Sequence, residues 1–124
     1  MKTIIAGSRD LEAFKDNYRV YLVADAVMQS GWRDQITEVV SGGARGIDLA
    51  GECWADSLTP PIPIKRFVPD WNGLGKRAGF IRNGEMADYA DALILIWNGT
   101  SRGSANMKQQ ALAKGLKVYE YMIK

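Results

Sequence analysis

The chain has 124 residues, of which 47% are apolar and 24% charged, with a formal net charge of +2, one cysteine and no histidine. This length predicts a single domain, residues 1–124, with its own hydrophobic core. The lone Cys53 excludes an intrachain disulfide and a CxxC site, and the lack of histidine excludes serine–histidine and cysteine–histidine catalysis and histidine zinc sites.

Charge and hydropathy also limit the expected surroundings. A protein that coats a nucleic-acid backbone usually carries a larger basic excess, so nucleic acid is an unfavoured partner. Residues 1–6 form too short an apolar run for a signal peptide, and no run approaches the roughly 20 residues of a membrane span. We therefore expect a cytoplasmic protein with no membrane partner.

Five short apolar runs predict β-strands. Each is bounded by Gly, Pro or Asp, and continuous rather than alternating apolarity is typical of parallel strands covered on both faces. The runs are residues 2–7, 37–42, 62–68, 91–97 and 116–121.

Apolar residues between these runs recur at helical spacing. Phe14, Tyr18, Leu22 and Ala26 predict a first helix that stops near Gly31. Three more helices are predicted over 46–57 (core side Ile47, Ala50, Trp54), 75–89 (Phe80, Met86, Ala87) and 103–114 (Met107, Ala111, Leu112). Strand alternating with helix predicts an α/β fold with a right-handed parallel sheet and helices on both faces.

The loops that leave the strands are the expected binding edge, because ligands of open parallel sheets bind beyond the carboxyl ends of the strands. Three of these loops combine glycine, a hydroxyl residue and an arginine: GSRD (7–10), SGGARGID (41–48) and NGTSRGS (98–104). Glycine lets backbone amides approach a ligand, and a following helix N-terminus favours phosphate. Arg9, Arg45 and Arg102 offer charge-assisted contacts.

Each loop alone is also compatible with a plain turn. Arg45 fits a solvated surface position equally, and Asp48 fits a helix start favoured electrostatically. Three such loops at one edge favour a phosphate-bearing ligand. Neither the G-x-x-x-x-G-K-[ST] nor the G-x-G-x-x-G spacing is present.

Two further groups of side chains leave alternatives open. On the helix before the fourth strand, Arg82 and Asn83 follow Lys76 and Arg77 by one turn, and they either face solvent or reach the ligand. The tryptophans at the ends of the third and fourth strands either stack on a base or pack in the core, and packing is favoured. These are Trp71 and Trp97. Methionines 86, 107 and 122 are predicted to fill the core.

Together, GSRD, SGGARGID, RNGEM (82–86) and DALILIWNGTSRGSANM (91–107) resemble the SLOG superfamily of Rossmann-like nucleotide-binding domains, especially its small YspA-like branch. SGGARGID is also similar to a loop of the DNA-processing protein DprA, and NGTSRGS to the phosphate loop of LOG phosphoribohydrolases. The resemblance covers nearly the whole chain. It implies a Rossmann-like three-layer sandwich, a five-stranded parallel sheet of order 3-2-1-4-5, a cleft between the loops after strands one and four, and a homo-oligomer.

The resemblance also implies the ligand-binding residues, position by position. The cleft floor would be formed at the end of the first strand, one wall by the second loop, and the phosphate cradle by the fourth, with two residues from the helix before strand four. These residues are Gly7, Ser8 and Arg9; Gly42, Gly43, Arg45 and Asp48; Arg82 and Asn83; and Gly99, Thr100, Ser101, Arg102, Gly103 and Ser104.

One departure from the family bears on catalysis. LOG enzymes carry P-G-G-x-G-T-x-x-E, nucleoside deoxyribosyltransferases end similarly, and Met107 stands where that glutamate is expected. Cleavage of an N-glycosidic bond passes through an oxocarbenium-like state that a carboxylate stabilises. Asp48 and Asp70 are weak candidates to replace it; Asp10 and Glu85 are the other acids nearby.

The predicted function is therefore binding of a nucleotide or nucleotide-derived phosphorylated ligand, as a sensor, carrier or sequestering module. One alternative is a hydrolase or transferase acting on an N-glycosidic or phosphate bond without the usual glutamate. A further alternative is DprA-like single-strand DNA binding. No dedicated metal site is predicted, although Mg²⁺ accompanying a nucleotide would be compatible with Asp70.

Overall fold

Strands and helices alternate along the chain in the computed structural model. The description covers residues 1–8 and 16–123, except the side chains at positions 16, 17, 71, 74 and 76. The elements are β1 (Lys2–Gly7), α1 (Asp16–Ser30), β2 (Glu38–Ser41), α2 (Ile47–Ser57), β3 (Ile64–Arg66), α3 (Trp71–Leu74), α4 (Ala78–Tyr89), β4 (Ala92–Trp97), α5 (Arg102–Ala113) and β5 (Lys117–Met122), with single 3-10 turns at Arg33–Gln35 and Gly75–Arg77.

The strands form one parallel sheet in the order β3-β2-β1-β4-β5. Strand order reverses between β1 and β4, whose register runs from Thr3 opposite Ala92 to Gly7 opposite Ile96. The predicted Rossmann-like α/β fold and its sheet order are thus confirmed. The reversal fixes where a ligand cleft can open at the carboxyl edge of the sheet.

Both faces of the sheet are covered, as the continuous apolar runs predict. All 6 residues of β4 are buried. Because successive strand side chains point to opposite faces, Ile94 and Ile96 join a core cluster with α1 and α2, whereas Leu93 and Leu95 join a second cluster with α4 and α5. Among the described residues, no helix has the length and apolarity needed to cross a membrane.

Two predicted boundaries shift for local reasons. The helix predicted to start at residue 75 begins only at Ala78, because residues 75–77 form a 3-10 turn that follows the short helix α3. Asp70 caps the backbone of this segment, since its Oδ1 accepts from the Gly73 amide at 2.9 Å. Gly75, with a φ of 59°, separates α3 from the following turn. The edge strand β3 is shorter than predicted, with 3 residues.

Several side chains predicted to face the core are exposed instead: Tyr18 (44%), Phe80 (46%), Leu112 (55%) and Met122 (54%). Tyr18 stacks on Tyr21, with ring centroids 6.1 Å apart. Phe80 lies two positions from both Ala78 and Arg82, which are on the buried stripe of α4. Phe14 lies outside the described residues. Helical spacing thus found the right faces only approximately.

Other core predictions are confirmed. Ile47, Ala50, Trp54, Met86, Ala87, Met107 and Ala111 are all buried, as are Leu22 and Ala26. Trp97 is 7% exposed, and its Nε1 donates to Glu120 Oε2 at 3.0 Å, so it packs in the core as favoured. The side chains of Trp71 and Lys76 lie outside the described part of the structure.

Tyr121 connects β5 to α1 and gives the fold a pH-dependent contact. Its hydroxyl donates to Asp25 Oδ2 at 2.5 Å, and this hydrogen bond raises the pKa of Tyr121 from about 10 to about 12. Since the folded-state pKa is raised, the stabilisation is fully present below pH 10 and is lost as the pH rises toward 12.

We therefore expect the free energy of unfolding of the wild type to fall more steeply between pH 10 and 12 than that of Tyr121→Phe. Urea denaturation at several alkaline pH values measures this difference. Tyr119→Phe is the matched control, because Tyr119 donates to the neutral side chain of Gln29, at 3.4 Å. Parallel curves for the wild type and Tyr121→Phe would contradict the prediction.

Candidate functional site

A cavity of about 280 Å³ lies at the carboxyl edge of the sheet, beside the end of β1. The end of β1, the loop between β2 and α2, one side of α4 and the first turns of α5 surround it. The lining residues are Ala6, Gly7, Ala44, Asp48, Gly79, Phe80, Arg82, Asn83, Met86, Ser101, Gly103, Ser104 and Met107. This position corresponds to the strand-order reversal at which parallel α/β sheets bind ligands.

Gly7 forms the floor of the cavity, and the close approach of β1 to β4 requires glycine there. A β-carbon at position 7 would lie 2.0 Å from the Ile96 carbonyl oxygen. The next residue continues the contact, since the Ser8 amide donates to that same oxygen at 3.2 Å. The two central strands therefore stay together up to the cavity.

The N-terminus of α5 forms one wall of the cavity. Ser101 is the N-cap, and its side chain accepts from the Ser104 amide at 3.3 Å. The preceding loop is fixed by Asn98, whose Oδ1 accepts from the Thr100 amide at 3.1 Å and the Thr100 hydroxyl at 2.8 Å. A helix N-terminus carries partial positive charge, so this wall favours an anion.

Ser104 presents an unsatisfied hydroxyl at this wall. The residue is 4% exposed, lines the cavity, and its Oγ has no hydrogen-bond partner among the described residues. Ser8, 1% exposed, also has an unpartnered Oγ, but it is not among the residues that line the cavity. Leaving a buried hydroxyl unpaired costs about 1–3 kcal/mol, so a native fold seldom keeps one without a use.

Another wall of the cavity carries Arg82 and Asp48, whose opposite charges lie against Gly42. Arg82 is 7% exposed and Asp48 5% exposed. A β-carbon at Gly42 would lie 2.5 Å from Arg82 Nη1 and 2.8 Å from Asp48 Oδ2, so both charged groups rest against this glycine. Arg82 Nη1 donates to the Gly42 carbonyl at 2.7 Å, and Asp48 Oδ2 accepts from the Ala44 amide at 3.3 Å.

Asn83 holds α4 against the start of α5. Its Oδ1 accepts from Arg82 Nε at 3.1 Å, and its Nδ2 donates to the Gly103 carbonyl at 3.3 Å and to Asn106 Oδ1 at 3.1 Å. The positions of the guanidinium and of the α5 N-terminus are therefore coupled through one amide side chain. No sequence pattern indicated Asn106, because its role depends on the packing of two helices.

A second cavity of about 190 Å³ adjoins the first, with which it shares Ala44 and Arg82. Its other lining residues are Gly42, Gly43, Arg66, Val68 and Pro69. The two adjoining cavities lie along the carboxyl edge of β1, β2 and β3, and together they are called the cleft.

An ion pair missed in the sequence supports the glycine loop of this cleft. Arg66 donates to Glu52 through Nη2 at 2.5 Å and Nε at 3.0 Å, and the Ser41 hydroxyl donates to the same carboxylate at 2.6 Å. The Gly43 amide in turn donates to Ser41 Oγ at 3.0 Å. The available signal was the position of Arg66 at the end of β3, on the same edge as the three loops.

The Glu52 carboxylate is held in its ionised form. Burial, the largest single influence, raises the pKa of Glu52, but the hydrogen bonds from Arg66 and Ser41 together lower it below its usual value of 4.5. The same contact raises the pKa of Arg66. Both shifts favour the charged forms of the two side chains, and so favour the ion pair.

The structure brings seven of the expected ligand-binding residues to the first cavity: Gly7, Asp48, Arg82, Asn83, Ser101, Gly103 and Ser104. Gly42 and Gly43 line the second cavity, and Ser8 is buried beside Gly7. Four others are exposed and line neither of these two cavities: Arg45, Gly99, Thr100 and Arg102. Arg9 lies outside the described residues.

The candidate catalytic acids differ in their position relative to the cavity. Asp48 lines the cavity, whereas Asp70 is exposed and caps α3, and Glu85 is exposed on α4. Asp10 lies outside the described residues. Met107, 1% exposed, lines the cavity at the position aligned with the glutamate of LOG enzymes, so an apolar side chain occupies that part of the wall.

Metal-binding side chains do not cluster in the described part of the chain. Across residues 1–8 and 16–123, no group of three or more His, Cys, Asp and Glu side chains is placed to hold a metal ion. Cys53 is a free, exposed cysteine.

Comparison with known proteins adds a relative. The Gene 61 protein of Mycobacterium phage D29 is 31% identical to this chain over 125 residues, which cover 97% of this chain and 95% of the phage protein. The chain belongs to the Gene 61 family. Because the alignment extends along nearly all of both proteins, membership of the Gene 61 family applies to the whole α/β unit and not to one motif. No family profile and no solved structure matches the chain.

Proposed function

We propose that this protein binds a nucleotide or nucleotide-derived phosphorylated ligand in the cleft, as a cytoplasmic sensor, carrier or sequestering module. On the same residues we assign it to the SLOG superfamily, in the YspA-like branch. The observation that carries the proposal is the buried hydroxyl of Ser104 on the wall of the main cavity, which has no hydrogen-bond partner within residues 1–8 and 16–123.

A phosphate group matches the α5 wall in charge and in hydrogen-bonding capacity. Phosphate oxygens accept hydrogen bonds, and the Ser104 hydroxyl and the first backbone amides of a 12-residue helix can donate them. The Ser101 cap holds this first turn in place. Ligand binding would supply the partner that the Ser104 hydroxyl lacks within the described residues.

Arg82 adds a positive charge on the facing wall. Its guanidinium is bonded to Gly42 and Asn83, so it is oriented before any ligand arrives. A buried charge acts in a lower effective dielectric than an exposed one, which strengthens its attraction for an anion. The adjacent Asp48 offsets part of this charge, which favours a ligand with one or a few phosphate groups over a polyanion.

Asp48 supports a second candidate function, hydrolysis or transfer at an N-glycosidic or phosphate bond. It is the candidate acid that the structure places on the cavity, where a carboxylate would stabilise an oxocarbenium-like state. Met107 is apolar and stands at the position of the LOG glutamate, which favours binding without turnover. Chromatography of each bound nucleotide after long incubation separates the two: unchanged ligand supports a binding module, and free base supports the enzyme.

The expected Mg²⁺ and the homo-oligomer remain predictions, as does the disfavoured DprA-like binding of single-stranded DNA. A screen by thermal shift against nucleoside monophosphates, cyclic dinucleotides and ADP-ribose, with and without Mg²⁺, tests the proposed ligand class. A labelled oligonucleotide at low salt tests the DNA alternative. A shift with the oligonucleotide alone would overturn the proposal.

Ser104→Ala separates ligand binding from stability. We expect the ligand-free variant to be more stable than the wild type by about 1 kcal/mol, because an unpaired buried hydroxyl is removed. We expect its affinity for the nucleotide identified in the screen to fall by about tenfold, because a hydroxyl bond to a charged phosphate is lost. Urea denaturation and calorimetric titration measure the two effects.

Two serines serve as comparisons. Ser101→Ala removes the N-cap and should cost about 1 kcal/mol of stability even without ligand. Ser57 lies at the C-terminal end of α2, away from the cavity, and its hydroxyl donates to the Trp54 carbonyl at 2.7 Å. Ser57→Ala should therefore leave the affinity unchanged. Unaltered affinity in Ser104→Ala would remove the main support for the proposed function.

A further inference from the structure

Phe80 is an aromatic side chain left in solvent at the edge of the main cavity. Of the described residues that line the cavity, only Phe80 and Gly103 are exposed, and Phe80 is 46% exposed. The other large apolar lining residues, Met86 and Met107, are each 1% exposed and lie in the core. Phe80 is therefore the most exposed large apolar residue among those that line the cavity.

The chemistry of this ring restricts what can cover it. A phenyl group has no hydrogen-bonding atom, so phosphate oxygens and sugar hydroxyls gain nothing from contact with it. A planar nucleobase stacked on the ring would gain dispersion attraction, and the stack would remove apolar surface of both groups from water. Stacking on an aromatic side chain is common in nucleotide recognition. The cavity thus combines an anion wall with an aromatic edge, as a nucleotide with its base attached would require.

The spacing of the two features is fixed by α4. Phe80 precedes Asn83 by one helical turn, so the two side chains are neighbours on the helix surface. Asn83 bonds to Gly103 and Asn106 of α5, which sets the distance between this face of α4 and the α5 N-terminus. The aromatic edge therefore has a fixed position relative to Ser104.

We propose that Phe80 is the specificity-determining residue that stacks on the base, so that the cleft selects intact nucleotides over sugar phosphates. This inference rests on the proposed function, since it assumes that phosphate occupies the α5 wall. It goes beyond that function because it assigns the base a position and names Phe80 as the side chain that contacts it.

Calorimetric titration with four nucleoside monophosphates and with ribose 5-phosphate tests the inference. We expect the wild type to bind at least one monophosphate about tenfold or more tightly than ribose 5-phosphate. Phe80→Ala should weaken binding of that monophosphate by about tenfold to a hundredfold and leave the affinity for ribose 5-phosphate within twofold. Phe80→Trp should retain the preference.

Ile81→Ala is the matched control, because Ile81 is the next residue of α4, is 39% exposed, and does not line the cavity. It should change neither affinity. If the wild type binds both probes equally and Ser104→Ala weakens both, the proposed function stands and the role of Phe80 is overturned. If the wild type binds none of the five probes, the role of Phe80 is overturned, and the proposed function then depends on the cyclic dinucleotides and ADP-ribose of the thermal-shift screen.

Discussion

Gly7→Ala is expected to lower the free energy of unfolding by about 3 kcal/mol, a large share of the stability of a domain of this size. The added β-carbon would lie 2.0 Å from the Ile96 carbonyl oxygen and 2.9 Å from the Cβ and Cγ1 atoms of Ile47. The backbone oxygen cannot turn aside, because it accepts from the Ser8 amide. The central strands β1 and β4 would have to separate where they bound the cleft.

Urea denaturation of Gly7→Ala beside Gly84→Ala measures this effect. A β-carbon at Gly84, inside α4, would come no closer than 3.6 Å to the Gln110 side chain, which is ordinary contact. Since alanine is the better helix former, Gly84→Ala should be as stable as the wild type or more stable by up to about 1 kcal/mol. A Gly7→Ala protein with the wild-type midpoint would contradict the close approach of β1 to β4.

Arg82→Met is expected to affect both stability and binding. We expect a loss of about 3 kcal/mol in the free energy of unfolding, because the Gly42 carbonyl loses its donor and the buried Asp48 carboxylate loses the neighbouring cation. Affinity for the nucleotide that binds the wild type should fall about a hundredfold, since a preoriented positive charge on the wall is removed. Denaturation and titration of the same preparation measure both quantities.

Three variants make this result specific. Arg33→Met removes an exposed charge outside the cleft and should change stability by less than about 1 kcal/mol. Arg82→Lys keeps the charge but not the planar fork, so it should recover only part of the affinity. The double variant Asp48→Asn with Arg82→Met should be less destabilised than the sum of the single changes, since no unbalanced charge remains buried. Strict additivity would argue against coupling between Asp48 and Arg82.

Much of the fold follows from local patterns in the chain. The run ALILIW is apolar at every position, and β4 is buried at every position because helices cover both faces of a parallel sheet. The glycine, hydroxyl and arginine loops follow strands, and parallel strands bring all such loops to one edge. Gly7, Asp48 and Ser104 therefore meet at one cavity although they lie far apart in sequence.

Other parts of the site depend on packing that periodicity does not report. Helical spacing places Phe80 near the apolar stripe of α4, but the buried face of this helix runs through Ala78, Arg82 and Met86, and Phe80 remains 46% exposed. The contact of Glu52 with Arg66 joins α2 to β3, and nothing in either segment indicates the other. Arg45 and Arg102 have the residue type expected of phosphate ligands, yet both side chains are exposed.

The sequence by itself determined the alternation of strands and helices and the edge at which a ligand would bind, because both depend on the order of short apolar runs and turns along the chain. Only the tertiary structure decided which polar groups are buried there. Three features depend on distances between elements: the Ser104 hydroxyl, which has no partner in the described part of the chain, the packing of Arg82 against Gly42, and the exposure of Phe80. Burial and hydrogen bonding are properties of pairs of elements, and the chain specifies them only after it has folded.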